Sequence, residues 1–124
     1  MRKKLGKLEL QVMNLIWDKG KATVREIWEV LYPQKGLAYT TVATVMRKLE
    51  EKGFLAHETV DRTYVYYPLV DRDEVTRGVL RELIKNFFNG SAAELVSALI
   101  RTGELSEREL ERVRRMIEHR EGER

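Results

Sequence analysis

Apolar residues in the first part of the chain recur three times at the spacing of a helix, over residues 7–18, 24–33 and 39–52. A capping-box sequence, Thr23-x-x-Glu26, opens the second run, which Pro33 and Gly36 close. Lys-Gly pairs follow the first and third runs, as is common at helix ends. The pattern therefore predicts three helices, the third starting at Tyr39 or Thr40.

From Phe54 the spacing of apolar positions changes to two. Asp61-Arg62 interrupts this alternation, which resumes at Thr63 and ends at Pro68. A two-stranded antiparallel hairpin is therefore predicted. Three helices followed by a hairpin match a winged helix-turn-helix, in which the third helix enters the DNA groove and the hairpin is the wing.

The remaining residues predict three more helices, because each of three capping sequences precedes an apolar-periodic segment: Asp71-x-x-Glu74, Ser91-x-x-Glu94 and Ser106-x-x-Glu109. The fold class expected is mainly α with a small β-hairpin wing. Two domains are expected, a winged-helix DNA-binding domain over residues 1–69 that folds on its own and a helical dimerisation domain over residues 70–124.

Three short helices bury too little of their own apolar surface to be stable alone, so a partner chain is the simplest remedy. The alternative is that they pack back on the first half as one monomeric core. The candidate dimer interface comprises Leu80, Leu83, Phe87, Leu99, Leu110 and Val113.

Composition argues against most enzyme classes. The chain of 124 residues has no cysteine and two histidines, which leaves little for a metal site or a catalytic base, and it lacks the common nucleophile and phosphate-loop motifs. No enzyme activity, catalytic residue, cofactor or metal is predicted. Since no stretch resembles a membrane span or a secretory signal, the protein is expected to be cytoplasmic and not inserted in a membrane.

Positive charge is concentrated in the first half: residues 1–69 carry a net charge of +4 and residues 70–124 a net charge of −1. Four of the cations, Arg2, Lys3, Lys4 and Lys7, lie together at the start. This asymmetry favours an anionic partner, although a solvated surface would show the same charges.

The polar face of the third predicted helix is small, hydroxylic and basic. Threonine hydroxyls and methyls suit base edges and thymine methyls, and arginine can bind guanine or phosphate. Arg62, at the predicted wing tip, could reach phosphate or a minor groove. The candidate DNA-binding residues are Thr40, Thr41, Ala43, Thr44, Arg47, Lys48 and Arg62.

The tryptophans, the tyrosines of the second strand and His57 are predicted to have structural positions. Trp17 and Trp28 fall in apolar stripes and are predicted core residues. The three tyrosines of the second strand are interpreted as packing the wing onto the helices rather than as a platform for single-stranded nucleic acid. His57 is interpreted as an exposed wing-strand histidine.

Three segments carry a family resemblance: residues 8–17 (LELQVMNLIW), 39–49 (YTTVATVMRKL) and 64–69 (YVYYPL). They resemble the BlaI/MecI/CopY penicillinase-repressor family over nearly the whole chain. The resemblance implies a homodimeric transcriptional repressor that reads palindromic operator DNA, with an N-terminal winged-helix domain and a C-terminal three-helix dimerisation domain.

The sequence departs from two branches of that family. The β-lactam branch is inactivated when a sensor-coupled protease cuts an Asn-Phe bond in the dimerisation domain, and here Ala98-Leu99 stands at the corresponding place. Whether a sensor-coupled protease is a partner is therefore left open by the sequence. The copper branch senses metal through a cysteine-rich tail, and this chain has no cysteine. The inducing signal is therefore unassigned.

Two other functions fit the same elements. A winged-helix protein-interaction module without DNA binding would be indicated by an acidic third helix, which Thr44, Arg47 and Lys48 argue against. A small-ligand sensor would need a buried polar cluster under the wing. Double-stranded operator DNA and a second copy of the chain are therefore the predicted partners.

Overall fold

The computed structural model describes residues 4–122, and side chains as far as residue 120. The elements are α1 (Lys7–Lys19), α2 (Val24–Lys35), α3 (Tyr39–Glu51), β1 (Leu55–Val60), β2 (Thr63–Pro68), α4 (Arg72–Phe87), α5 (Ala92–Arg101) and α6 (Glu107–Gly122). A mainly helical chain with one antiparallel hairpin confirms the predicted fold class. The chain divides into two compact units, Met1–Thr76 and Arg77–Arg124.

Helix α2 begins as its sequence predicts. The Thr23 hydroxyl accepts the Glu26 amide at 3.1 Å, and the Glu26 carboxylate accepts the Thr23 amide at 2.9 Å. Pro33, by contrast, does not close the helix, which continues to Lys35 and ends where Gly36 adopts a left-handed conformation at φ 65°. Proline removes one helical N–H donor, and in the last turn that loss does not break the helix.

The core of the first unit is formed by one face from each of the three helices together with residues of the hairpin. Buried side chains on α3 are Val42, Met46 and Leu49, at the spacing of a single helical stripe. They pack with Val12, Met13 and Ile16 of α1, Ile27 and Leu31 of α2, and Ala22, Phe54, Leu55, Tyr66 and Val70. Because the apolar stripe of α3 faces this core, its threonines and cations face solvent.

Both tryptophans pack against the core, and each is partly rather than fully buried. Their indole N–H groups donate to backbone carbonyls at 2.9 Å, from Trp17 to Val70 and from Trp28 to Leu37. At the edge of a core, the apolar ring of a tryptophan is buried, and its polar N–H then needs a hydrogen-bond acceptor.

Strands β1 and β2 pair in register from Leu55 opposite Pro68 to Val60 opposite Thr63. The turn between them has two residues, Asp61 and Arg62, with φ of 48° and 67°. This backbone is the one that two-residue hairpins favour, and it is normally occupied by Asn-Gly.

A further pair of hydrogen bonds attaches β2 to the α1–α2 loop. The Ala22 amide donates to the Tyr66 carbonyl at 2.9 Å, and the Tyr66 amide donates to the Ala22 carbonyl at 2.8 Å. Tyr66 is buried, as predicted for a residue that packs the wing on the helices. The same expectation was wrong for Tyr64 and Tyr67, which are exposed.

The first unit extends past residue 69, the end predicted for the DNA-binding domain. Val70 is buried, and Val75 packs against the same core. Arg72 lies over the Trp17 ring at 5.3 Å and donates to Asp18 at 2.8 Å. The start of α4 therefore belongs to the first unit, for a reason that local sequence does not show.

In the second unit, side-chain hydroxyls cap the starts of α5 and α6: Ser91 accepts the Glu94 amide at 3.2 Å and Ser106 accepts the Glu109 amide at 3.1 Å. Among the side chains that the structure describes, none after Val70 is buried. Large apolar side chains of this unit that are exposed include Val79, Leu80, Phe87, Val96, Ile100, Met116 and Ile117. Over residues 4–122, no helix combines the length and apolarity that crossing a bilayer requires.

Candidate nucleic-acid interface

The outward face of α3 places most of the predicted DNA-binding residues on one helix surface. Thr40, Thr41, Arg47 and Lys48 are exposed, and Ala43 and Thr44 are half-buried. Four of these side chains line a shallow depression together with Val45, namely Thr40, Thr41, Thr44 and Lys48. We call these four the threonine-lysine face.

Ala43 and Arg47 lie beside this depression and do not line it. They are four residues apart, so they share a second edge of α3. Glu50, three residues after Arg47 and on the same side of α3, contacts His57 of β1 at 2.8 Å, so this edge faces the hairpin. The helix therefore presents hydroxyls and one ammonium on one edge and a guanidinium on the edge nearest the wing.

The start of α3 differs from the starts of the capped helices. Its N-cap is Ala38, which supplies no side-chain hydrogen bond, whereas Thr23 caps α2. The first amides of a helix carry partial positive charge and favour an anion such as phosphate. The helical periodicity does not predict this feature, but the alanine at position 38, where a capping residue is expected, indicates it.

At the end of α3, the positive charge of Lys52 is neutralised by an ion pair with Glu9 of α1. Lys52 Nζ lies 2.7 Å from Glu9 Oε1, and both side chains are largely buried. Burial raises the pKa of Glu9, but hydrogen bonds from the Lys52 ammonium and the Gly6 amide outweigh this effect and leave the pKa lowered. The ammonium of Lys52 is therefore bound to Glu9, while Arg47 and Lys48 remain exposed to solvent.

Arg62 lies in the hairpin turn and is exposed beside Asp61, as the sequence predicts. At φ 67° it holds a backbone conformation that costs a side-chain-bearing residue free energy. Lys4 and Lys7 of the basic N-terminal cluster are also exposed. Arg2 and Lys3 lie outside the described residues.

The interpretation of His57 as an exposed wing histidine is wrong. It is half-buried, and its Nδ1 lies 2.8 Å from both carboxylate oxygens of Glu50 at the end of α3. Its ring stacks on Tyr64 with a centroid separation of 3.9 Å and an interplanar angle of 15°. Periodicity could not reveal this contact, because it joins a helix end to a strand.

Tyr66 lies beside this group, with its ring centroid 5.6 Å from that of His57. Burial raises the pKa of the Tyr66 hydroxyl, and the nearby Glu50 carboxylate raises it further. Arg47 opposes the shift. The edge of α3 that carries Arg47 and Glu50 therefore lies close to His57 and Tyr66 of the hairpin.

Two other sets of predicted features can be located. Of the candidate dimer-interface residues, Leu80 and Phe87 are exposed, and Leu83, Leu99, Leu110 and Val113 are half-buried within the second unit. Over residues 4–122, no three His, Asp or Glu side chains converge at a spacing that could hold a metal ion.

The sequence model of the penicillinase repressor family matches residues 5–119. The chain is 27% identical over 113 residues to the methicillin resistance regulatory protein MecI of Staphylococcus aureus strain N315, which covers 91% of this chain and 92% of MecI. It is 38% identical over 78 residues to the transcriptional regulator BlaI of Mycobacterium tuberculosis strain H37Rv, covering 62% of this chain and 56% of that protein.

Two solved structures resemble the first part of the fold. The solution structure of the DNA binding domain of the repressor BlaI superimposes with a TM-score of 0.53 and 29% identity, over 60% of this chain and 93% of that one. The monomeric form of Bacillus licheniformis BlaI in complex with the blaP half-operator superimposes with a TM-score of 0.52 and 27% identity, over 60% and 90%.

Proposed function

Because the chain belongs to the penicillinase repressor family, we propose that it is a transcriptional repressor that binds double-stranded DNA. Helix α3 enters the major groove as the recognition helix, and the β1–β2 hairpin lies against the flanking backbone as a wing. The observation that carries this proposal is the threonine-lysine face of α3, which lies opposite the buried residues Val42, Met46 and Leu49 and is exposed except at the half-buried Thr44. A BlaI structure of the same fold is a complex with a half-operator.

Each side chain on α3 has a chemical role in this proposal. Thr40, Thr41 and Thr44 offer hydroxyls and methyls to base edges, and Lys48 neutralises phosphate. Arg47, on the edge nearest the wing, binds a guanine edge or a phosphate. The uncapped start of α3 adds backbone amides for a phosphate.

The wing adds one cation, Arg62, at the hairpin turn. A two-residue turn projects this guanidinium beyond the strands, where it can reach phosphate or the minor groove. Asp61 reduces the local positive potential. The wing therefore contributes one well-placed guanidinium, and little net positive charge.

The second unit is proposed to join two copies of the chain. Its apolar side chains, among them Phe87 at 75% exposure, are left uncovered by the unit itself. A second copy that covers them would form a two-fold dimer and present two recognition helices to a palindromic operator. We place the domain change after Thr76 rather than at residue 69, since the start of α4 packs on the first unit.

A sensor-coupled protease is not part of this proposal. The Ala98-Leu99 bond lies within the last turn of α5, and both side chains are half-buried. As a DNA-binding repressor the protein would act in the cytoplasm. MecI and BlaI are named as regulators, in keeping with a role other than catalysis.

The salt dependence of DNA binding tests the proposal. If each protomer neutralises about three or four phosphates, the logarithm of the association constant of the dimer should fall with the logarithm of salt concentration at a slope of about −5 to −7. Fluorescence anisotropy on DNA selected from a random pool measures this slope. A slope near zero would contradict DNA binding.

A matched pair of variants locates the contact. Reversing two charges on α3, with Arg47→Glu and Lys48→Glu, should abolish binding. Reversing two exposed charges on α4, with Arg77→Glu and Arg81→Glu, makes the same change in net charge and should preserve most of the affinity. Equal losses would indicate that overall charge, and not α3, determines binding.

A further inference from the structure

The end of the recognition helix and the distal part of the wing are joined by a chain of three side chains. Glu50 of α3 contacts His57 of β1 through two oxygens at 2.8 Å, and the His57 ring stacks on Tyr64 of β2 at 3.9 Å. We propose that Glu50, His57 and Tyr64 form a positioning cluster that sets the angle of the wing to α3 and thereby places Arg62 on the DNA. This inference rests on the proposed function.

Strand register explains why the contact reaches the wing tip. His57 pairs with Tyr66 and Thr59 pairs with Tyr64, so His57 and Tyr64 are diagonal neighbours on one face of the hairpin. At about 3.4 Å per residue, the turn lies roughly 15 Å beyond His57. A tilt of about 10° at His57 would therefore move Arg62 by roughly 2 to 3 Å, which is enough to break a hydrogen bond to phosphate.

The base of the wing is held by other means. Tyr66 is buried and forms two backbone hydrogen bonds with Ala22. Every residue from Glu58 to Tyr64 is exposed. The distal half of the hairpin thus has no buried side chain of its own, and the stacking of the Tyr64 ring on His57 ties it back toward α3.

The cluster contributes little to folding. The side chains of His57 and Glu50 remain 27% and 32% exposed, and a polar contact that water reaches to this extent adds little to stability. Breaking the pair should therefore leave the first unit folded while freeing the wing tip. A positioning role predicts such a separation of DNA affinity from stability, and a structural role does not.

Glu50 and Glu51 provide a matched comparison. Both are on α3, and Glu51 is exposed and lies outside the contacts with His57. Glu50→Ala and Glu51→Ala each remove one negative charge from the end of the helix. We expect Glu50→Ala to bind a half-site duplex, taken from DNA selected by the full-length protein, about two- to five-fold more weakly than Glu51→Ala does.

A double-mutant cycle tests the role of the cluster directly. Arg62→Ala is introduced into the full-length wild-type, Glu50→Ala and Glu51→Ala proteins. The loss of affinity caused by Arg62→Ala should be several-fold in the wild type and in Glu51→Ala, and less than about two-fold in Glu50→Ala. Thermal melts establish that each protein is folded.

Two readouts separate positioning from loss of charge. Glu50→Gln keeps an oxygen that can accept the His57 Nδ1–H and should restore most of the effect of Arg62→Ala. In NMR spectra, the His57 ring protons should be shifted by the stacked Tyr64 ring in the wild type and in Glu50→Gln, and the shift should diminish in Glu50→Ala. If Glu50→Ala fails to fold, Tyr64→Ala removes the other contact of His57 and should give the same cycle.

The outcomes are distinguishable. An equal effect of Arg62→Ala in all three backgrounds overturns the positioning cluster and leaves the proposed function intact. No effect of Arg62→Ala in the wild type overturns both the cluster and the role of the wing, while the role of α3 stands. A wild-type protein without salt-dependent DNA binding overturns the proposed function itself.

Discussion

Lys52 Nζ lies 2.7 Å from Glu9 Oε1, and this ion pair ties the end of α3 to the first turn of α1. Glu9 also accepts the Gly6 amide at 2.8 Å. Its carboxylate therefore organises the start of α1 and the end of α3 together. Because the pair is largely buried, it affects stability more than the exposed ion pairs of the chain do.

Acid should destabilise the first unit through Glu9. Since the folded-state pKa of Glu9 is lowered, the folded protein binds this proton more weakly than the unfolded chain does. The stabilisation is complete above the ordinary glutamate pKa of about 4.3 and is lost as the pH falls toward the lower folded-state value. Urea unfolding between neutral pH and about pH 3 should show a steeper loss in the wild type than in Glu9→Gln, and parallel curves would contradict this.

Arg47 and Lys48 should differ in what they contribute to DNA binding. Arg47→Ala should cost about 1 to 3 kcal/mol per half-site if it reads a guanine, and should relax the preference at one base pair. Lys48→Ala should weaken binding to all duplexes alike, because phosphate contacts carry no sequence information. Binding to a set of single-base operator variants measures both. If both variants bind like the parent, α3 does not face the groove.

The wing turn should show a conflict between stability and function. Arg62→Gly relieves a left-handed residue and should stabilise the protein by about 0.5 to 1 kcal/mol while weakening DNA binding. Asp61→Asn suits the same turn, removes a negative charge and should strengthen binding. Thermal melts and anisotropy titrations measure the two effects. An Arg62→Gly protein that keeps the full affinity would remove Arg62 from the interface.

The point of truncation should decide whether the DNA-binding unit folds by itself. A chain ending at Thr76 keeps Val70, Arg72 and Val75, and we expect it to be folded, monomeric and weakly bound to DNA. A chain ending at Leu69, where the sequence predicts the boundary, loses the buried Val70 side chain, worth about 1.5 to 3 kcal/mol, and the acceptor of the Trp17 indole. Equal melting temperatures for the two chains would show that residues 70–76 do not contribute to the fold of the first unit.

Apolar contacts of the second unit should hold the dimer together. Leu110→Asp would place a carboxylate in each half of a two-fold seam and should yield monomers with operator affinity reduced by orders of magnitude. Phe87→Asp should do the same with less damage to the protomer, because Phe87 is already 75% exposed. Leu69→Asp, an equivalent change at an exposed residue of the first unit, should remain dimeric. Light scattering distinguishes these results, and a dimeric Phe87→Asp protein would move the interface elsewhere.

Much of the fold could be predicted because its signals are local. Capping at Thr23, Ser91 and Ser106 depends on residues within one turn, and the buried stripe of α3 follows from its period. These signals located every helix and the hairpin to within a few residues. The side of α3 that faces solvent followed from the same periodicity.

The features that escaped prediction depend on residues far apart in sequence or on a neighbour that periodicity does not identify. Val70 is buried because Trp17 and the core of α1 lie against it, so the end of the first unit could not be read at residue 69. His57 contacts Glu50 across a helix-to-strand connection for which no spacing rule exists. Whether the predicted DNA-binding and dimer residues act as assigned stays a prediction.

The hydrogen bonds between Ala22 and Tyr66 also determine when, during synthesis, the wing can dock on the helices. Ribosomes release the chain from its N-terminus, so α1, α2 and α3 emerge before the strand that completes this pairing. Pairing Ala22 with Tyr66 closes a long loop, and this closure costs more chain entropy than the formation of a local helix does. We therefore expect the nascent chain to lack a complete core until Tyr66 and Val70 have left the exit tunnel, and to gain a folded first unit only as α4 begins to emerge.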